Sequence, residues 1–291
     1  MIKAPGFYPN MDAEEYFADP CEWPSLRQSL IPTLVTRSPY HAAWMHPRTN
    51  PYGPPDQGDK ARWLGSAVHR LALGRGRDIS LIRYPDYTSS SAREARDLAL
   101  ANNRIPVLER DHVKALDMAK IVKDAIAEAL GGAPYVTEVP FFWQEETQQG
   151  PIWAAGMLDV WCEARAKALD VKALRTAAIP EAFGRVAGEN GYDVQNVFYE
   201  RGLTKILPDL AGRITLEDLH VETLPPHGYR LFKLDAGSRQ VINCDIQRAI
   251  ELWGECLAKR NWPSYPKESA EVATPAFHQQ RVMSREYAQE S

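Results

Sequence analysis

No stretch of the chain approaches the roughly 18 to 20 consecutive apolar residues needed to span a bilayer. The first residues, Met1 to Asp19, lack the basic-then-apolar layout of a secretory signal, so a cytoplasmic protein is expected. Cysteine is scarce: Cys21, Cys162, Cys244 and Cys256 are the only four among 291 residues, and no two stand as C-x-x-C. This spacing speaks against a zinc ribbon or a disulfide scaffold. It also lacks the closely grouped thiolates that hold an iron–sulfur cluster, so reduced thiols, some of them buried, are expected. There is no large charge excess either. A formal net charge of -4 argues against a surface that coats nucleic acid throughout, but it leaves room for a local basic groove. With 44% hydrophobic and 25% charged residues the chain reads as folded.

Ten of the 22 prolines fall in the first 60 residues, which predicts a wrapped, irregular N-terminal segment, 1–58, with short helices packed on the core. One of these starts at Ser38-Pro39, serine as N-cap and proline in the first turn. Asn50 to Gly58 is a loop by composition. Trp63, Leu64, Ala67, Val68 and Leu71 recur at helical spacing between Lys60 and Gly74. A second helix runs from about Glu109 to Leu130 and stops at Gly131-Gly132. The period then changes: Tyr135–Gln144, Ile152–Glu163 and Ala166–Leu174 read as strands. Helical spacing returns after Pro180 and is clearest from Tyr192 to Leu203. Two more strands, Leu219–Leu224 and Tyr229–Leu234, precede a last helix over Arg239–Arg260. The order predicts one α/β domain, residues 59–266, with a central mixed β-sheet flanked by helices, and a polar, loosely held tail over 267–291.

Chemistry concentrates in Gly156-Met157-Leu158-Asp159 and Leu169-Asp170-Val171-Lys172. Two strands joined by a tight turn bring Asp159 near Asp170, and period-two alternation puts Asp170 and Lys172 on one face. A carboxylate pair suits Mg²⁺, which prefers hard oxygen ligands. A lysine beside it can orient a water and offset charge developing on a phosphoryl group. Taken alone, the pattern also fits a surface ion pair on a hairpin. The apolar neighbours Leu158, Val160, Leu169 and Val171 favour a buried pair, which is costly unless compensated. His69 lies four residues after Gly65 on one helix face, where the glycine would permit close approach to another backbone and the histidine could ligate a metal or, as is commoner for a lone helical histidine, be a hydrogen-bonded core or surface residue. Glu138 is an acid in a β-rich run, able to ligate a metal or to sit as an edge-strand charge. Gln195 and Tyr199 are neighbours at i and i+4 that could brace the lysine, touch a DNA backbone or simply pack.

In this order and near this spacing, these residues resemble the PD-(D/E)xK nuclease superfamily, and within it the RecE-type (exonuclease VIII) group, related to lambda exonuclease and the RecB nuclease domain. The resemblance runs from Ser38-Pro39-Tyr40-His41 through Gly65 to His69, Glu138, Gly156 to Asp159, Asp170-Val171-Lys172 and Tyr192 to Tyr199, to Trp262-Pro263-Ser264-Tyr265. The sequence departs from the RecE-type pattern at Ala173, where threonine is usual, and at Leu158, where proline is typical.

The resemblance implies a restriction-endonuclease-like core and a metal, Mg²⁺ with Mn²⁺ as substitute, bound by His69, Asp159, Asp170 and the Val171 carbonyl. It gives Lys172 the water, and Glu138, Gln195 and Tyr199 supporting roles. It further implies 5′-to-3′ hydrolysis of linear double-stranded DNA in phage-type recombination, a trimeric or tetrameric ring and a single-strand annealing partner. Residues 60 to 110 carry ten Lys or Arg against five acids, which on charge alone reads first as a solvated face. If the stretch instead meets DNA, the candidate contacts are Lys60, Arg62, Arg70, Arg75 and Arg77, with Arg37 on the same path and Arg37 and Ser38 as a 5′-phosphate pocket. The alternatives are a structure-specific endonuclease or another nuclease of the superfamily, a non-catalytic DNA-binding protein of the same fold, and a hydrolase of small phosphoesters.

Overall fold

The computed structural model describes the backbone of residues 1–50, 52 and 60–287, and their side chains except at 60, 61, 286 and 287. The loop expected over Asn50–Gly58, apart from Asn50 and Tyr52, and the Lys60 side chain lie outside the described residues.

Proline and short apolar clusters break the N-terminal segment into β1 (Gly6–Phe7), α1 (Ala13–Phe17), β2 (Leu26–Arg27), α2 (Ile31–Thr36) and α3 (Pro39–Met45). Then follow α4 (Lys60–Leu73), β3 (Ile79–Ile82), α5 (Ser90–Ala101), β4 (Ile105–Leu108) and α6 (Glu109–Leu130). The second half holds β5 (Val136–Glu145), β6 (Ile152–Cys162), β7 (Lys167–Leu174), α7 (Pro180–Asn190), α8 (Tyr192–Ile206), β8 (Thr215–Glu222), β9 (Tyr229–Phe232), α9 (Ala236–Lys259) and α10 (Ala276–Tyr287). The expected glycine stop of α6 is present: Gly131 adopts φ 58°, a left-handed cap that costs glycine little. At the other end of α6, Glu109 and Asp111 in the first turn complement the helix dipole.

The central sheet runs β1-β5-β6-β7-β8-β9, with β2 parallel to the first half of β6. The β7–β8 pair is parallel, and β5–β6, β6–β7 and β8–β9 are antiparallel, so the sheet is mixed. Alternation along β7 divides the core. Ala168 packs with Phe198, Leu203, Ile250 and Trp253 of α8 and α9. Leu169 and Val171 pack with Val68 of α4 and Met118 and Val122 of α6.

The feature that positions the site is a parting of strands. β6 and β7 pair only at Val160–Leu169, Trp161–Ala168 and Cys162–Lys167. The other end of β6 pairs with β2 instead, at Leu26–Ala154 and Arg27–Ala155. Asp159 and Asp170 therefore sit at the mouth of a cleft, each one residue past the last paired position.

Several elements differ from the sequence reading. The N-terminal segment is not only wrapped around the core: β1 and β2 join the sheet, and Leu26, Ile31 and Leu34 are buried in it. Its Ser38-Pro39-Tyr40-His41 stretch meets the distant Trp262–Tyr265 stretch, through Tyr40 N–H donating to Pro263 O at 3.1 Å and His41 lying 5.1 Å from the Tyr265 ring. The basic stretch after α4 contains a parallel β3–β4 pair bridged by α5, with Ser89 capping the helix. β8 begins at Thr215 rather than Leu219, and the tail includes α10. Among the described residues no helix is long and apolar enough to cross a membrane.

Candidate active site

Asp159 continues β6 into the cleft, and its Oδ2 accepts the Val171 backbone N–H at 2.7 Å. The side chain thus takes the place of a ladder carbonyl where pairing ends. From α4, His69 reaches the same point: Nε2 lies 2.7 Å from Val171 O. Because a carbonyl only accepts, Nε2 carries the proton, and Nδ1 turns towards Asp159 Oδ2 at 3.5 Å and Glu138 Oε1 at 3.9 Å. Glu138 arrives there through a rare backbone state. It has φ 50° inside β5, flanked by the regular pairs Thr137–Val160 and Val139–Leu158. A left-handed conformation at a non-glycine residue within a strand costs on the order of 1 to 3 kcal/mol, and such strain gathers at functional positions.

The ligand atoms of His69, Glu138 and Asp159 all lie within 4.8 Å of one another. Asp170 stands apart from this trio. Its Oδ2 pairs with Lys172 Nζ at 2.5 Å, while its Oδ1 accepts from Gln195 Nε2. The Gln195 carbonyl in turn accepts from Lys172 Nζ at 3.1 Å, and Lys172 lies 4.2 Å from the centre of the Tyr192 ring. The shared face expected for Asp170 and Lys172 is therefore present, and Gln195 braces both.

Electrostatics follow from crowding four acids, Glu138, Asp159, Asp170 and Asp218, around one lysine and one histidine. Burial, then the nearby charges of Asp170 and Glu138, raise the Asp159 carboxyl to about 7, although His69 opposes this. Burial disfavours a charged His69, yet Asp159 first and then Glu138 and Asp170 outweigh it and lift the imidazole to about 9. Lys172 behaves likewise: burial opposes its charge, but Asp170, Asp218 and Asp159 hold it well above the ordinary lysine value. It is a fixed cation, suited to charge stabilisation and to orienting a water rather than to accepting a proton.

The donor set suits a hard divalent ion. Two carboxylates supply oxygen, and the imidazole makes the site as suitable for Mn²⁺ as for Mg²⁺. The Val171 carbonyl, expected as a ligand, accepts the His69 hydrogen bond instead, an arrangement that fixes the imidazole tautomer.

The remaining candidates are placed as follows. Tyr199 does not brace Lys172. It packs over Gly156, and its hydroxyl accepts from Met157 N–H at 3.4 Å, so it supports β6 ahead of Asp159. A Cβ on Gly156 would stand 2.5 Å from Phe141 and 2.8 Å from Tyr199. Gly65 is less constrained than expected, since a Cβ there would meet Ala173 at 4.0 Å, an ordinary contact. Arg37 is exposed at the α2–α3 junction, and the Ser38 hydroxyl is engaged by His41 Nδ1 at 2.7 Å. Arg70, one residue after His69, is tied to Asp78 at 3.0 Å, and Arg75 donates to Pro9 O at 2.8 Å. Arg62 is exposed and Arg77 half-buried. The three neighbours that sequence reasoning missed are Tyr192, Asn196 and Asp218. Asp218 lies directly across from Asp170 in the β7–β8 register, and Asn196 Nδ2 donates to its Oδ2 at 2.6 Å. The signal was the spacing of Leu216, Asp218 and His220, which continues β8 by two residues on one face.

No protein-family model matches the chain. No curated protein matches it. Among solved structures, a protein from Eubacterium rectale provisionally named an exonuclease superposes with a TM-score of 0.56 at 10% identity, over 91% of this chain and 96% of that one. A second, SSO0001, aligns over 67% of this chain and 87% of that one at 12% identity, but its TM-score of 0.30 carries no argument. The chain thus shares, over nearly its whole length, the fold of the Eubacterium rectale protein.

Proposed function

We propose that this chain is a metal-dependent deoxyribonuclease, a 5′-to-3′ exonuclease on linear double-stranded DNA of the PD-(D/E)xK type. The observation that carries the reading is the convergence, at the parting of β6 and β7, of His69, Glu138 and Asp159 with the Asp170–Lys172–Gln195 group. The name of the structure that shares the fold supports the same class of chemistry. His69, Glu138 and Asp159 would hold Mg²⁺ or Mn²⁺, with Asp170 alongside. A bound divalent ion supplies Lewis-acid activation of water and neutralises the scissile phosphate. Lys172, kept cationic by its acidic neighbours, orients the attacking water and offsets charge at the phosphorus. Gln195 and Tyr192 hold Lys172 in place, and Tyr199 holds β6. The arginines after His69 would track the DNA backbone, so binding weakens with salt. A ring-shaped trimer or tetramer, a recombination role and an annealing partner complete the proposal by resemblance.

The test compares 5′-labelled, 3′-labelled and circular duplexes incubated with Mg²⁺ or Mn²⁺. Early release of the 5′ label with circular DNA intact is expected. Cleavage of the circle would replace the exonuclease with an endonuclease, and no cleavage of any duplex would remove the reading.

A further inference from the structure

The two outer edges of the β3–β4 pair are guarded unequally. Ile79 is paired with Ile105 in the parallel register, and Ile105 N–H donates to Asp78 O at 2.9 Å. Parallel ladders alternate, so Ser80 and Ile82 turn their N–H groups towards β4, whereas Ile79 and Leu81 turn theirs, with their carbonyls, outward. On the opposite edge Pro106 has no N–H to offer, and its carbonyl accepts the Tyr87 hydroxyl at 3.1 Å. The β3 edge has no such cover. No strand other than β4 pairs with it, and its outward groups find no hydrogen-bond partner among the described residues. An open strand edge is a template for another strand. Beside it a groove of about 510 Å³ runs between β3 and α5, lined by Leu81, Ala95, Leu98 and Ala99. Leu98 is 66% exposed and Leu81 38% exposed.

Charge at the groove selects the occupant. Arg104 lines it, 3.9 Å from an Asp78 that Arg70 already engages at 3.0 Å. Arg83, just past the end of β3, is exposed with no acid paired to it among the described residues. An extended, acidic segment with apolar residues on one side fits such an edge. The chain holds one: Glu268 to Thr274, between Pro266 and Pro275, carries two acids and no cation, and it lies exposed outside any helix or strand. Period-two alternation puts Glu268, Ala270, Val272 and Thr274 on one face. Val272 is 87% exposed. The segment cannot reach its own β3. Its root is held at α3 by Tyr40 and His41, on the α9 side of the central sheet, whereas β4 packs on the α4–α6 side. A helix layer on either side of a sheet separates the two by about 20 Å. Glu268 is only three residues past Tyr265, a span of about 10 Å.

We propose that residues 268–274 of one copy add as an outer strand to β3 of a second copy, with Ala270 and Val272 against Leu98 and the two glutamates near Arg83 and Arg104. The contact is head-to-tail, each copy giving a tail and receiving one, so it builds closed rings or open chains. It goes beyond the nuclease reading and stands whether or not the chain hydrolyses DNA.

The test is the mass of the full-length chain in solution, by light scattering over a range of concentrations. Wild type should exceed the mass of a single chain. Val272→Asp disables the tail at an exposed position. Leu81→Pro removes an outward N–H from β3 without touching its bonds to β4, as Pro106 does on the other edge. Each should weaken self-association at least about tenfold while keeping the wild-type circular dichroism spectrum. Mixed together, the two variants should form a dimer and nothing larger, because only the Leu81→Pro tail and the Val272→Asp edge remain usable. Leu98→Asp, at an exposed helix position, blocks the same groove by charge and serves in place of Leu81→Pro if that variant does not fold. A wild type that stays a single chain at every concentration would overturn the proposal. So would Val272→Asp or Leu98→Asp assembling as wild type does, or a mixture that yields no dimer.

Discussion

The Val171 backbone N–H donates to Asp159 Oδ2 at 2.7 Å, one residue beyond the last paired positions of β6 and β7. A carboxylate thereby completes the sheet edge while standing within 3.5 Å of His69 Nδ1. The consequence is a trio of one imidazole and two carboxyl groups whose ligand atoms are held within 4.8 Å of one another.

Added Mn²⁺ should raise the melting temperature, because an ion that binds only the folded state stabilises it by about 2.7 kcal/mol at a hundredfold excess over Kd. Glu138→Gln and Asp159→Asn should each remove most of that shift in a calorimetric titration. A shift of equal size in both variants would place the ion elsewhere.

Lys172 neutralises Asp170, which is 5% exposed. Lys172→Ala leaves a buried carboxylate held by Gln195, at a cost of about 3 kcal/mol in urea unfolding. The pair Asp170→Asn with Lys172→Met should recover at least about 1 kcal/mol of this without restoring hydrolysis. Equal instability of the single and double variants would show that the pair does not interact.

Gly156→Ala drives a methyl group into Phe141 and Tyr199, and overpacking of this kind costs about 1 to 3 kcal/mol. Because Asp159 is three residues on, hydrolysis should fall further than stability does. Gly65→Ala, with only Ala173 at 4.0 Å, should melt at or slightly above wild type, since alanine is favoured in a helix by about 1 kcal/mol. The opposite ranking would contradict the packing described.

Glu145 is fully buried and receives Arg201 at 2.8 Å and 2.9 Å, Lys205 at 3.0 Å and Trp143 Nε1 at 2.9 Å. Burial pushes its carboxyl up, but Arg201, Trp143 and Lys205 together bring it below the ordinary value. Its contribution is therefore fully present above the unfolded carboxylate range and is lost as pH falls through the folded value. Glu145→Gln should destabilise by about 2 kcal/mol at pH 7, and the deficit should shrink in acid, below pH ~4. A deficit independent of pH would assign the effect to packing alone.

Much of this was legible in the chain. The apolar spacing of Trp63, Ala67 and Val68, the glycine stop at Gly131 and the period-two runs around Asp159 and Asp170 are local signals, and they place α4, α6, β6 and β7. The β3–α5–β4 layer was hidden because Ile79–Ile82 is only four residues long among arginines, so charge masked the strand. Asp218 was hidden because an acid beside Leu219 reads as a strand end, whereas its burial depends on Asn196 from another element. Spacing could set Asp159 and Asp170 at one cleft. It could not show that Asp159 joins His69 and Glu138 while Asp170 turns to Lys172 and Gln195. That division depends on where β6 parts from β7 and on the left-handed backbone at Glu138.

The most direct measurement is single-turnover hydrolysis of an end-labelled linear duplex with Mg²⁺, comparing wild type with Asp159→Asn. Activity that vanishes with EDTA and falls at least about a hundredfold in the variant, with its fold intact by circular dichroism, is the expected result. Hydrolysis that persists in EDTA, or proceeds equally in the variant, would contradict a metal-assisted reaction at this cleft.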